Sequence, residues 1–139
     1  MGDKKYETNV IYKLCKKFAL RIINLYSYMI NTKHETVMSK QLYRSGTSIG
    51  ANISESIFAQ SEADYINKLK IALKEANESK YWLELLYEST MLTEKEYLSL
   101  ENDIKTIIGT IINIINKIEK KWKNSYYSFY LFTFLPFYL

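Results

Sequence analysis

The chain has 139 residues, 47% hydrophobic and 24% charged, which suits one globular domain with a single core rather than two domains or a disordered segment. Four glycines and one proline, Pro136, leave long helices unbroken by proline geometry until the last few residues. A formal charge of +4 suits a polyanionic partner without requiring one, and the single cysteine, Cys15, excludes an internal disulfide and a cysteine-built zinc site within one chain.

Four segments carry helical periodicity. The first spans residues 10–31, where Ile11, Leu14, Phe18, Ile22, Leu25 and Met29 recur at spacings of three and four and share one face. Thr8 or Asn9 supplies its cap. Cys15 falls among the apolar positions and reads as a buried thiol. The polar run Asn31-Thr32-Lys33-His34 is a short connection, with His34 exposed in it. The second helix covers residues 35–59, with Met38, Leu42, Ile49, Ile53 and Ile57 as its stripe. That stripe has a gap at Gly46, and Gly50 and Ser54 follow at intervals of four, a run that lets another helix backbone approach closely. Glycine inside a helix costs roughly 1 kcal/mol relative to alanine, so a compensating contact is expected; tight packing is the leading reading and a hinge the alternative.

The third helix runs from Ser61 to about Thr90. It opens with Ser61-Glu62-Ala63-Asp64, a hydroxyl cap with a short carboxylate three residues on. Ile66, Leu69, Leu73, Ala76, Leu83 and Tyr87 form its core stripe, and Ile71, Glu75, Trp82 and Leu86 a second one. The fourth helix opens with a full capping box, Thr93-Glu94-Lys95-Glu96. Ile104, Ile108, Ile111, Ile115, Ile118 and Trp122 share one face, which Leu100, Ile107 and Ile114 broaden. Lys117, Lys120, Lys121 and Lys123 near its end suit the helix dipole.

Long helices joined by short loops predict an all-α fold, an antiparallel up-down-up-down four-helix bundle over residues 1–123. The apolar faces of the first and last helices are wider than a bundle seam requires, so a homo-oligomer is expected. Residues 124–139 differ: they carry no charge, and half are Tyr or Phe. This tail is too short to span a membrane, which takes about 20 apolar residues. It could fold back onto a groove, lie in a membrane interface, or extend as a poorly ordered segment of high β-propensity, and its composition favours the last. The opening residues, Met1 to Asn9, lack the apolar core of a signal peptide, and Tyr6 stands where myristoylation needs Ser or Thr. The expectation is a cytoplasmic protein with no membrane contact.

Catalysis is not expected. The only histidine, His34, lies in a loop, and a dimetal Glu-x-x-His pair fails because position 31 is Asn31. Cys15 and His34 are separated by roughly 28 Å of helix. No phosphate-binding glycine loop or catalytic triad order is present, so no cofactor or metal is expected. Two polar constellations remain. Gln41, Arg44, Ser48, Asn52 and Glu55 share a stripe on the second helix, and Glu75 and Glu78 lie beside Trp82 on the third. A buried Arg44 would need a carboxylate, with Glu75 or Glu55 the expected partner and bundle register the role. Lys13, Lys17 and Arg21 follow at intervals of four on the first helix, with Lys16 beside them and Lys40 of the second helix adding to them. This is the form of a phosphate-tracking surface for RNA or DNA, and equally of a solvated helix face.

The run Ser39-Lys40-Gln41-Leu42-Tyr43-Arg44-Ser45-Gly46-Thr47-Ser48-Ile49-Gly50-Ala51-Asn52-Ile53-Ser54-Glu55 resembles the signature of the bacterial four-helix proteins called 23S rRNA intervening-sequence proteins. A second block, Lys68-Leu69-Lys70-Ile71-Ala72-Leu73-Lys74-Glu75-Ala76-Asn77-Glu78-Ser79-Lys80-Tyr81-Trp82-Leu83-Glu84-Leu85-Leu86, resembles that family too. The likeness covers residues 18–91 closely and the fourth helix loosely, and stops before the tail. It implies a ring-like homopentamer with no established enzymatic activity, encoded in many cases within an insertion in large-subunit ribosomal RNA. A related branch, the accessory proteins of diversity-generating retroelements, binds a reverse transcriptase and nucleic acid. Arg44, Gly46, Gly50, Asn52, Glu55, Glu75 and Trp82 match the family pattern, in roles that look architectural as much as functional.

Overall fold

The computed structural model describes residues 2–134, and the side-chain surroundings of residues 9–129. Four α-helices follow one another: α1 (Gly2–Tyr28), α2 (Met38–Ser56), α3 (Glu62–Glu88) and α4 (Glu94–Phe134). Among the described residues there is no strand. Each helix packs on the next in sequence, and α1 also packs on α4, which closes the bundle. The antiparallel course is visible in the cross-helix pairs, whose numbers run in opposite directions. Gly46 and Gly50 of α2 lie against Ile22 and Cys15 of α1. Tyr87 and Lys70 of α3 meet Tyr97 and Glu119 of α4.

The core is built from the stripes that helical spacing selects. Ile11, Phe18 and Ile22 of α1 and Met29 just past its end are buried, as are Leu42, Ile49 and Ile53 of α2, Leu69 and Leu83 of α3, and Ile104, Ile107 and Ile111 of α4. Leu86, placed in a secondary stripe by sequence, is fully buried, whereas Ile57 is half exposed because α2 has already ended at Ser56. The stripe gap at Gly46 has a direct cause. A Cβ there would lie 3.1 Å from a side-chain carbon of Ile22, and one on Gly50 3.4 Å from the Cys15 Cβ. Tight packing is therefore the reason for Gly46, whereas the space at Gly50 is that of an ordinary van der Waals contact. The α2–α3 seam uses serine in the same way: Ser45 and Ser79 are fully buried, and the Ser79 hydroxyl donates to the Ser45 oxygen at 2.8 Å.

Several boundaries differ from the sequence expectation. α1 begins at Gly2 and passes through Thr8 and Asn9, so neither caps it. Its far end widens into a π-turn, Met29–Lys33, closed by His34 in the left-handed region at φ 55°. The N–H of His34 and that of Glu35 both donate to the Met29 carbonyl. α2 then starts at Met38 rather than Glu35, because Glu35 serves as the cap: its carboxylate accepts from the backbone N–H groups of Val37, Met38 and Ser39, each at 2.8 Å. At α3, Ser61 accepts from the Asp64 N–H, but the Asp64 carboxylate reaches back to the Gln60 N–H rather than to Ser61. The box at α4 is reciprocal, Thr93 with Glu96. α3 ends with Thr90 left-handed at φ 65°, its N–H on the Tyr87 carbonyl and the Met91 N–H on that of Leu86, a Schellman closure.

The largest correction concerns the aromatic tail. α4 does not stop near Asn124 but continues as helix through residues 124–134, so the extended, β-prone reading fails there; residues 135–139 lie outside the described residues. Once a helix is nucleated, each added residue needs only favourable propagation, and α4 arrives at Asn124 already about eight turns long.

Candidate nucleic-acid interface

Between Asn9 and His34 the chain carries five cations, Lys13, Lys16, Lys17, Arg21 and Lys33, and no carboxylate. From Asn9 to its end at Tyr28, α1 therefore presents one sign of charge. Lys13, Lys16 and Lys17 are exposed, and the Lys16 ammonium lies 6.0 Å from the centre of the Tyr12 ring. Arg21 differs. Its guanidinium pairs with the Asp103 carboxylate of α4 and also donates to the Ser99 hydroxyl at 2.8 Å and the Ser99 carbonyl at 3.3 Å. It clamps α1 to α4, and a phosphate would have to compete with Asp103 for it. Asp103 and Ser99 escaped the sequence reading; the available signal was a carboxylate one position from the core residue Ile104.

Lys40 is exposed but stands apart from these lysines. Tyr43 packs on Tyr26, with ring centroids 4.9 Å apart, which puts Lys40 level with about Met29, roughly 18 Å along the helix from Lys17. The expected five-residue stripe is therefore three lysines, a clamp, and a distant cation. Leu20 and Ile23 are exposed beside the lysines on the outward face of α1.

The polar residues of α2 and α3 do not form the single buried network expected of them. Arg44 is 72% exposed, and it reaches Glu78 at 3.7 Å rather than Glu75 or Glu55. A loose, exposed pair of this kind contributes about 0–1 kcal/mol, so Arg44 is not a buried guanidinium that needs a carboxylate to offset its burial. Glu78 also accepts from the Trp82 indole N–H at 3.2 Å. Glu55 instead pairs with Lys68 of α3, whose pKa is raised, first by that hydrogen bond and then by the charge of Glu55. Asn52 donates to the Ser48 carbonyl within α2, and Glu75 is half-buried on α3. Ser54 is half-buried one turn beyond Gly50. Arg44, Tyr43 and Tyr81 are exposed on the α2–α3 side of the bundle, with the half-buried Trp82 beside them.

Burial pushes the Cys15 thiol up to about 12 and, with a hydrogen bond to Glu101, does the same for the Tyr97 phenol. Glu96 is held below the ordinary carboxylate range by the Thr93 backbone N–H and hydroxyl. Among the described residues, no group of three or more His, Cys, Asp or Glu side chains could hold a metal ion.

These features define an all-α bundle with one cationic outer helix and a second, aromatic-rich polar side. The family model described as 23S rRNA-intervening sequence protein matches residues 7–113, and the chain belongs to that family. It is also similar to a protein of unknown function from the S23 ribosomal protein family of Bacteroides thetaiotaomicron, known from a crystal structure, with 54% identity and a TM-score of 0.78; the match covers 79% of this chain and 98% of that one. No curated protein matches the chain.

Proposed function

We propose that the protein is a non-enzymatic, oligomeric bundle that associates with structured RNA through the cationic face of α1. The observation that carries this reading is the run of five cations without a carboxylate from Asn9 to His34, with Lys13, Lys16 and Lys17 exposed along it. Such a face neutralises phosphates and releases their counterions, whatever the base sequence. Family membership points the same way. Self-assembly, as the homopentamer that the family resemblance implies, would repeat the patch around an axis and multiply its field. The exposed Leu20 and Ile23 on α1 and Leu98 and Ile112 on α4 supply apolar surface for sister copies.

A second reading is supported by Arg44, Tyr43, Tyr81 and Trp82, since Arg, Tyr and Trp dominate protein–protein hot spots. In that reading the bundle is a scaffold for a protein client such as a reverse transcriptase. Titrating a structured ribosomal RNA fragment at two salt concentrations separates the two. RNA association predicts binding that weakens steeply with salt, and a salt slope that falls by about 2 in Lys13→Glu/Lys17→Glu. No binding at low salt would remove the RNA reading and leave the scaffold. Light scattering that gives a monomer at micromolar concentration would remove the oligomer.

A further inference from the structure

The end of the bundle where α2 stops and α4 finishes is unlike the rest of the surface. Lys70 meets Glu119 across α3 and α4, so Glu62, the first residue of α3, lies level with about residue 127 of its antiparallel neighbour. α4 runs on to Phe134, roughly 10 Å past the start of α3. The stripe that α4 buries through Ile111, Ile115 and Ile118 continues at the same spacing into Trp122, Tyr126 and Phe129, which are 40%, 69% and 64% exposed. The connection after α2 lies at this same end, and there Phe58 is 84% exposed. An apolar seam made for burial is thus carried out of the bundle with a second apolar contact point beside it.

Lys120, Lys121 and Lys123 are exposed on the flanks and back of that stripe. The helix dipole does not account for them, because α4 ends about three turns later and a terminal dipole acts only over the last turn. From Asn124 to Leu139 the sequence carries no charge, and half of its residues are Tyr or Phe. Along α4 the order is therefore cations first, then an uncharged aromatic stretch over residues 124–134. Nucleic-acid stacking calls for cations that track the backbone beside the aromatic rings, and here the rings run beyond the last cation. Anionic lipid asks for the order observed: ammonium groups at the phosphates, and Trp, Tyr and Phe at the boundary with the acyl chains.

We propose that this end of the bundle docks peripherally on an anionic membrane surface. Trp122, Tyr126 and Phe129 enter the headgroup boundary, Lys120, Lys121 and Lys123 meet lipid phosphates, and Phe58 is a second foot. The attachment departs from the sequence expectation of no membrane contact. It is peripheral, since among the described residues no helix is long and apolar enough to cross a bilayer.

Co-sedimentation of the full chain tests the idea, using phosphatidylcholine vesicles with and without about 30% phosphatidylglycerol, at low and at high salt. The expected result is binding to the anionic vesicles at low salt, at least about tenfold weaker on neutral vesicles and again at high salt. Lys120→Glu/Lys121→Glu/Lys123→Glu and, separately, Trp122→Ala/Tyr126→Ala/Phe129→Ala should each lose at least about tenfold in binding. Both variants should keep the thermal midpoint of the parent, which shows that the bundle is folded. Failure to sediment with anionic vesicles at low salt, equal binding to neutral ones, or undiminished binding by the aromatic variant would overturn the proposal. So would an aromatic variant whose particle mass falls while the parent ignores vesicles, because the cover is then a second copy. An RNA shift lost in the lysine variant without vesicle binding by the parent would overturn it as well.

Discussion

The two ends of the bundle use the same residue types to opposite effect. At the end formed by the α1–α2 and α3–α4 turns, each polar device has a target. Glu35 gathers three backbone N–H groups, Thr93 and Glu96 close a box, and Tyr87 stacks on Tyr97 with centroids 4.5 Å apart and planes 6° from parallel. At the other end, Phe58, Tyr126 and Tyr127 face outward. The difference lies in chain connectivity. Two tight turns bring helix ends together at the first, whereas among the described residues the second has one turn, beside the start of α1 and the last turns of α4. Aromatic side chains close over a turn where helices meet and are left over where they do not.

The contrast can be broken most directly by removing one ring from each end. Tyr97→Ala should cost about 2–3 kcal/mol in denaturant unfolding, through the lost stack and the space it leaves, whereas Phe58→Ala should stay within about 0.5 kcal/mol. Equal costs would erase the distinction between the ends. The glycines sharpen it along the α1–α2 seam. Gly46, nearer the tied end, has Ile22 3.1 Å from the place its Cβ would occupy, while Gly50, nearer the open end, has 3.4 Å. Gly46→Ala should therefore destabilise by about 1–2 kcal/mol despite its better helix propensity, and Gly50→Ala should gain up to about 1 kcal/mol; thermal melts that rank them the other way would refute the tight-seam account. The smallest effect is at the Glu35 cap, where Glu35→Gln should cost about 1 kcal/mol near neutral pH. Burial alone would raise the Glu35 pKa, but the N–H groups of Ser39 and Met38, the Ser39 hydroxyl and the Val37 N–H outweigh it and lower it. A depressed carboxyl stabilises the fold above its unfolded pKa and loses that contribution as pH falls through the folded value. The parent and Glu35→Gln stability curves should therefore converge in acid, and curves that stay parallel would show that the charge is not what caps α2.

Much of the fold was legible because apolar spacing is a global signal. The four helices follow from it, while the α4 capping box and the close contact at Gly46 follow from the residue types at those positions. The reading failed where one local preference outvoted its neighbours. Aromatic composition suggested an extended segment after Asn124, but an established helix overrode it. His34 looked like an ordinary loop residue, although it holds a left-handed closure that histidine tolerates better than most side chains. Ser45 and Ser79 were passed over because serine carries no hydrophobic signal, yet they set the closeness of α2 and α3. Arg44 was assigned a carboxylate partner from its place in a polar stripe taken to be buried, and one turn of uncertainty on α3 separates Glu75 from the Glu78 it reaches. Of the cationic surface, the charges were legible, but not their distribution: whether an arginine is bound to another helix depends on which helix lies beside it.

Cys15 sits where α1 comes closest to Gly50, its thiol sealed among apolar neighbours. A sulfur held in its neutral form and shut away from solvent reacts with a dissolved alkylating agent only during moments when the first two helices part. The protein thus contains a native stopwatch, one atom whose capture rate counts how often that seam comes undone.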